Sequence, residues 1–352
     1  MVQPFTHETL PGRVLFGVGR VDEVPLEAER LGSRRILVIT TPSLKNEADA
    51  LRLALGERAV ASWPDARPHV SRADADRARQ TAREHQVDGL IALGGGSAIG
   101  LAKAVAVDDG APMVAVPTTY SGSEMTPIYG ITEGRRKKTA RDERALPKTV
   151  VYDPCLTTGL PPAVTASTGM NALAHCVEAL YSASPSPLSK LQAVEGASAL
   201  AGGLTSAVHA SEDLDARSEA LYGAYLAGAV LAVTGMAIHH RIRHVLGGTF
   251  GLPHGPTNSV ILPHVVRFNA PAAPEAMKSI ADALDVRDAA GGLFDLARDL
   301  GAPAGLADLD MSESDLEEAA HLVADGDYYN PRPATQSDVL GLLAAAHVGR
   351  RP

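Results

Sequence analysis

Cysteine is almost missing from this chain. Two thiols, Cys155 and Cys176, in 352 residues can build neither a disulfide framework nor a four-thiolate zinc site. So low a count fits a reducing compartment, and a cytoplasmic protein is expected. Positive charge is also in short supply. The 32 Lys and Arg face 41 Asp and Glu, a net charge of −9, so the molecule repels phosphate backbones and anionic bilayers. Neither nucleic acid nor a membrane is an expected partner. The opening residues, MVQPFTHETLPGRVLF, lack the basic segment, apolar core and small-residue cleavage site of a secretory leader. One uncharged run, the 18 residues 221–238, reaches the length of a short membrane span. That run is built largely from Ala and Gly, contains Tyr222 and Tyr225, and leads directly into His239, His240 and Arg241. It reads as a helix buried among other helices rather than a membrane span.

What is present is the make-up of a globular protein, with 45% hydrophobic and 21% charged residues. The length suits one large or two moderate domains. Up to about residue 150, β-rich runs at 13–17, 35–40, 58–63, 88–93 and 113–116 alternate with helical stretches, the pattern of a parallel sheet with helices on its faces. In residues 71–86, Ser71 is a natural cap, and Ala75, Ala78 and Ala82 share one helical face. A second β pair is expected from 128–132 and 149–152, joined by a basic turn at 135–138. The breakers Pro154, Gly159, Pro161 and Pro162 mark a boundary. Domains are placed at residues 1–157, an α/β nucleotide-binding unit with a Rossmann-like parallel sheet, and 158–352, an all-α helical unit.

Three constellations carry chemistry. The run at 88–93 ends in Gly94, Gly95, Gly96 and Ser97 and opens a helix near Ala98. Glycines let a backbone approach a phosphate, and a helix amino end offers it free N–H groups. The next strand leads into a hydroxyl-rich loop, from which Thr118, Thr119 and Ser123 could hold ribose or nicotinamide at the carboxyl edge of the sheet. Lys137, in the basic run just beyond, is a further cofactor candidate. No acidic residue follows the strand ending at Thr40 and Thr41, so NADH and NADPH should both be accepted. The third constellation is histidine. Asn171 and His175 lie four apart on one helix, His240 and His244 four apart on another, and His254 follows a Gly-Leu-Pro break. That spacing suggests a divalent-metal site between two helices, although the amide of Asn171 lacks the negative charge such an ion favours.

In order and spacing, GGGS, PTTYSGSEMTPIYGIT, RALPKTVVYDP, GMNALAHCVEALY, the HH-three-H-VLGG string and the late YNPRP resemble the iron-containing alcohol dehydrogenase family. The match is closest to its maleylacetate reductase branch and covers essentially the whole chain. The resemblance implies a dehydroquinate synthase-like fold and a homodimer. It implies NADH- or NADPH-dependent reduction of the conjugated C=C of maleylacetate, an oxo dicarboxylate, to 3-oxoadipate in aromatic degradation. Family metal ligands map onto Asn171, His175, His240 and His254, a vestigial set from which metal is expected to be dispensable. His244, with His240, His175 and His254, is then catalytic. Tyr120, Asn171, His239, Arg241 and Arg243 are substrate candidates, with Arg332 a further cation. The chain departs from the branch at Arg243, where a cysteine is common. The alternatives are a metal-dependent alcohol dehydrogenase or aldehyde reductase, or a reductase of a related oxo acid in biosynthesis.

Overall fold

The computed structural model describes residue 10, residues 12–134 and residues 136–352, the side chains of Arg136 and Lys137 excepted. Two compact units emerge, Leu10–Gly159 and Leu160–Pro352.

The first unit is α/β. Its strands are β1 (Arg13–Phe16), β2 (Ile36–Thr40), β3 (Ala59–Trp63), β4 (Gly89–Gly94), β5 (Met113–Pro117), β6 (Ile128–Glu133), β7 (Arg136–Arg141) and β8 (Thr149–Tyr152). Its helices are α1 (Val24–Arg30), α2 (Lys45–Leu55), α3 (Arg72–Glu84) and α4 (Gly96–Asp109). Six strands form a parallel sheet in the order β1-β8-β5-β4-β2-β3. Central strands such as β2, ILVIT, are apolar and buried throughout, because helices cover both faces of the sheet. Leu37, Ile39, Leu90 and Ala92 pack towards α3 and α4. Their neighbours Ile36, Val38, Ile91 and Leu93 pack towards α1 and α2. The chain leaves β2 for β3 on one side and returns to β4 on the other, so the connections after β2 and β4 part to opposite faces. Such a switch point opens a crevice at the carboxyl ends of the strands, where ligands bind in open α/β sheets. Ser71 caps α3, its hydroxyl accepting from the Asp74 N–H at 3.0 Å.

Two local expectations are corrected. Residues 149–152 do not pair with 128–132; β8 lies in the main sheet between β1 and β5. The partner of β6 is β7, antiparallel, so Lys138, expected in a solvated turn, lies on a strand. β6 packs Ile131 into the core, while the exposed β7 needs only backbone pairing and compatible cross-strand charges, which Glu133 supplies by accepting from Lys138 Nζ at 3.0 Å. The side chain of Lys137 lies outside the described residues.

The second unit is helical: α5 (Pro162–Leu180), α6 (Pro187–His209), α7 (Leu214–Val233), α8 (Ile238–Thr249), α9 (His254–Asn269), α10 (Pro274–Ala283), α11 (Ala289–Asp299), α12 (Leu316–Ala324) and α13 (Gln336–His347). Small residues bring α5, α6 and α7 close together. A Cβ at Gly203 would lie 2.6 Å from Ala220 N, and one at Gly169 would lie 2.2 Å from Leu204. The uncharged run 221–238 owes its Ala and Gly to this packing, and it breaks after Val233, where α7 and α8 meet at 95°. Among the described residues no single helix is long and apolar enough to cross a membrane. Helices α8, α9, α12 and α13 share a core including Ile242, Leu246, Ile261, Val265, Val323 and Leu343.

Candidate active site

The glycine turn sits where β4 gives way to α4. Gly94 has a φ of +146°, a conformation open to glycine. A Cβ there would lie 3.7 Å from Thr41 Cγ2, so the ends of β2 and β4 adjoin. Gly95 is the N-cap of α4 and offers no side-chain cap, which leaves the first N–H groups of a long helix for a ligand. The loop after β5 lies against this turn. Thr118 N–H donates to Gly94 O at 3.3 Å, and Ser121 Cβ lies 3.9 Å from a Cβ built on Gly96. A Cβ on Gly95 would come within 2.7 Å of Thr119. Glycine at 95 is therefore required by packing within the unit, and a valine there would not isolate an effect on phosphate.

The loop is braced from below by residues to which the sequence reading gave no role. Lys103, on α4, is fully buried. Its ammonium donates to Ser123 O at 2.6 Å, Thr126 O at 2.7 Å, Ile128 O at 2.8 Å and Thr126 Oγ1 at 3.1 Å. Burial pulls Lys103 down to about 7, opposed by nearby Glu124. The three carbonyls nonetheless require three N–H donors, which only the charged form has. Glu124 is itself buried, which raises its carboxyl, and it accepts from Tyr152 Oη at 2.9 Å.

The histidine cluster is built by α5, α8 and α9. On α5, Asn171, His175 and Glu178 fall at i, i+4 and i+7, on one face. His239 and His240 open α8, and Asn258 stands one turn into α9. Glu178, fully buried, accepts from the His239 backbone N–H at 2.9 Å and pairs with His240 Nδ1 at 2.5 Å. His240 Nε2 is left buried without a partner. The His175 and His240 rings stack at 5.1 Å. The Asn171 amide N–H reaches His175 Nε2 at 3.5 Å, which puts the imidazole proton on Nδ1, and Nδ1 too is buried without a partner. Asn258 Nδ2 donates to Asn171 Oδ1 at 2.7 Å. His254 packs over Gly247, where a Cβ would come within 2.4 Å of the ring.

Burial sets the charges here. It lowers His175 and His240 far below the ordinary imidazole value and brings His239 down to about 3, with the neighbouring Arg243 pushing the same way on all three. Burial raises Glu178, opposed by His239 and by backbone N–H groups. The rings are therefore neutral near pH 7.

Several nominated residues are otherwise engaged. His239 is fully buried, with Nε2 facing Asn258 O at 3.3 Å. Arg241 donates to Leu322 O and packs on Gly326. Arg332 binds Phe268 O at 3.2 Å and Asp338 at 3.0 Å while lying over the Phe268 ring. Tyr120 is fully buried. Each of these four is thus buried or engaged by the protein's own groups. Arg243 remains: Nη2 donates to His244 Nε2 at 2.8 Å, so that nitrogen cannot donate a proton while the pair holds. Glu178, Asn258 and Lys103 were the omissions. For Glu178 the signal was present in its place three residues after His175.

A glycine-turn parallel sheet joined in one chain to a helical unit with a buried histidine cluster is the two-unit architecture of the dehydroquinate synthase-like, iron-containing alcohol dehydrogenase fold. Residues 11–154 match the model for iron-containing alcohol dehydrogenase, and residues 165–347 match that for the C-terminal part of the Fe-containing alcohol dehydrogenase family. A maleylacetate reductase of Pseudomonas sp. strain P51 is 45% identical over 99% of both chains. Maleylacetate reductase 2 of Cupriavidus pinatubonensis is 46% identical over 97% of this chain and 96% of its own. The crystal structure of maleylacetate reductase from Agrobacterium tumefaciens superposes with a TM-score of 0.97 at 41% identity, covering all of both chains. An iron-containing alcohol dehydrogenase from Corynebacterium glutamicum gives 0.95 at 39%, covering 99% and 98%. The chain belongs to the iron-containing alcohol dehydrogenase family.

The family name implies a metal, and the donors fit one poorly. Among the described residues, the group whose ligand atoms lie within 4.8 Å of one another is Glu178, His239 and His240, not the family set of Asn171, His175, His240 and His254. In that group the carboxylate is already spent on its two histidine neighbours. Asn171 Oδ1 is spent on Asn258. A guanidinium close by adds repulsion towards a dication.

Proposed function

We propose that this oxidoreductase is a maleylacetate reductase, using NADH or NADPH to convert maleylacetate to 3-oxoadipate in the degradation of aromatic compounds. The observation that carries the reading is the full-length identity with proteins of that activity. Residues 1–157 are assigned as the nucleotide-binding unit and 158–352 as the catalytic one, in a cytoplasmic homodimer. The pyrophosphate rests on the N–H groups around Gly95, Gly96 and Ser97, with Gly94 making the turn. Thr118, Thr119 and Ser123 face the cofactor's sugars and amide, and Lys137 stays a candidate. Thr40 and Thr41 offer no carboxylate to repel a 2′-phosphate, so both cofactors serve.

Hydride adds to the alkene carbon farther from the ketone. The C=C electron pair shifts towards the carbonyl to give an enolate, and a proton returns to the nearer alkene carbon. The net gain is one hydride and one proton. The developing oxyanion calls for fixed donors in a site shielded from water. His175 Nδ1–H is buried and unpartnered, and neutral imidazoles in a low-dielectric site serve this purpose without a metal. Glu178 fixes the His240 ring through Nδ1, so that Nε2 is presented in one orientation. His244 and His254 complete the proposed catalytic set.

The alternative, a metal-dependent alcohol dehydrogenase, draws on one observation. A carboxylate bound to Nδ1 of a histidine whose Nε2 is free also describes a braced metal ligand. The test is oxidation of NADH and NADPH by purified protein with maleylacetate or with simple aldehydes, and product analysis for 3-oxoadipate. Turnover of aldehydes only would overturn the proposal.

A further inference from the structure

Arg243 is a cation set among neutral histidines with part of its hydrogen-bonding capacity unused. Nη2 is held by His244 at 2.8 Å, but Nε is buried with no acceptor. Close to it in the same cluster, His175 Nδ1 and His240 Nε2 are also buried without partners. The charge of Arg243 bears on Glu178, His175, His239 and His240 alike. A buried N–H left unsatisfied is destabilising, the more so on a charged group. Arg243 Nε–H and His175 Nδ1–H are therefore two donors awaiting an acceptor, whereas His240 Nε2, whose ring gives its Nδ1 proton to Glu178, carries a lone pair and is not one of them. A dication is disfavoured by the guanidinium itself. A neutral ligand would add nothing to the compensation that Glu178 gives that charge. A carboxylate matches it, being planar and able to take two parallel N–H bonds from the guanidinium edge formed by Nε and Nη2.

We propose that Arg243 anchors one carboxylate of the substrate, and that docking draws Nη2 away from His244 and frees its Nε2 for the reaction. In this proposal the substrate takes the Nη2 N–H that His244 now holds, so binding and release are one event. An empty site keeps His244 occupied, and a substrate without the anchoring carboxylate leaves it so. Arg243 is thus a specificity-determining residue, selecting oxo acids over simple carbonyl compounds. The identity of the natural ligand rests on the maleylacetate reductase reading, whereas the carboxylate site does not.

The experiment uses an unreactive probe of matching length, adipate, against its uncharged diamide, both titrated calorimetrically into the NADH-loaded protein. Wild type should prefer adipate to the diamide by roughly tenfold or more, about 1.4 kcal/mol. R243A should lose that preference with NADH affinity unchanged, and R243K should recover part of it, since charge returns without the fork. In turnover, R243A should raise KM for maleylacetate more than it lowers kcat. A wild type that does not distinguish adipate from the diamide, or an R243A protein that still does, overturns the proposal. If wild type prefers adipate but reduces no maleylacetate, the carboxylate site stands and the functional reading falls.

Discussion

Lys103→Met tests whether the loop after β5 owes its shape to a single buried ammonium. Methionine nearly matches the volume of lysine, so the change removes the donors rather than opening a large cavity. The backbone carbonyls of Thr126 and Ile128 lose the ammonium that held them at 2.7 and 2.8 Å, while that of Ser123, held at 2.6 Å, keeps the Thr126 N–H and hydroxyl. Each stranded acceptor costs about 1–3 kcal/mol. Against this stands the relief of no longer burying a charge whose pKa is drawn down to about 7. Glu124, buried beside it, loses a nearby cation. The balance is a loss of about 3 kcal/mol, a large share of the roughly 5–15 kcal/mol that holds a domain folded. Urea denaturation of the purified variant should show a lower midpoint at unchanged slope. Titration with NADH at low temperature, where the variant stays folded, should show affinity weakened about tenfold, or 1.4 kcal/mol, because Thr118, Thr119 and Ser123 ride on this loop. Normal stability together with normal NADH affinity would refute the reasoning.

Gly96→Val is the clean probe of the phosphate site, because the nearest atom to a Cβ there is 3.8 Å away; NADH affinity should fall at least tenfold with the melting temperature unchanged, and unaltered affinity would remove the assignment. Exhaustive chelation should leave maleylacetate turnover intact, whereas a loss restored by Fe²⁺ or Zn²⁺ would favour the metal-dependent alternative. Glu27 is buried, which alone would raise its carboxyl, but hydrogen bonds from Arg30, Arg13 and Thr149 bring it net below its ordinary 4.5. A carboxyl more acidic folded than unfolded adds stability that is complete above about that pH and is lost as pH falls through the folded value. The stability gap between wild type and Glu27→Gln should therefore narrow on acidification from pH 5, and a gap constant with pH would contradict the assignment.

How much of this was legible before the coordinates depended on whether a residue's role was written in its neighbours. The parallel sheet was legible because runs such as 36–40 are apolar at every position, as doubly covered strands must be. Ser71 was legible because a cap is a local bargain between one hydroxyl and an N–H three residues on. The strand β7 was not, since a ribbon of lysine and arginine has no apolar face and declares itself only through its partner. Glu178 and Lys103 were hidden for the opposite reason. A lone charge in an alanine-rich helix reads as a solvated one, and only the fold shows that both are fully buried, one bound to histidines and the other to backbone carbonyls. Arg243 lay between these cases: its oddity was visible as an arginine where relatives commonly carry a cysteine, but its meaning was not. A long cation can always reach solvent, and it took the unpartnered Nε beside two unpartnered imidazole nitrogens to show that this one turns inward. The same reasoning separates the candidate sites of the two units. Backbone turns and helix ends make the proposed cofactor site of the first, so it can be read from glycine spacing. Side chains from three helices far apart in sequence make the histidine cluster of the second, so its hydrogen bonds, and with them its choice between a metal and a carboxylate, exist only once α5, α8 and α9 have packed.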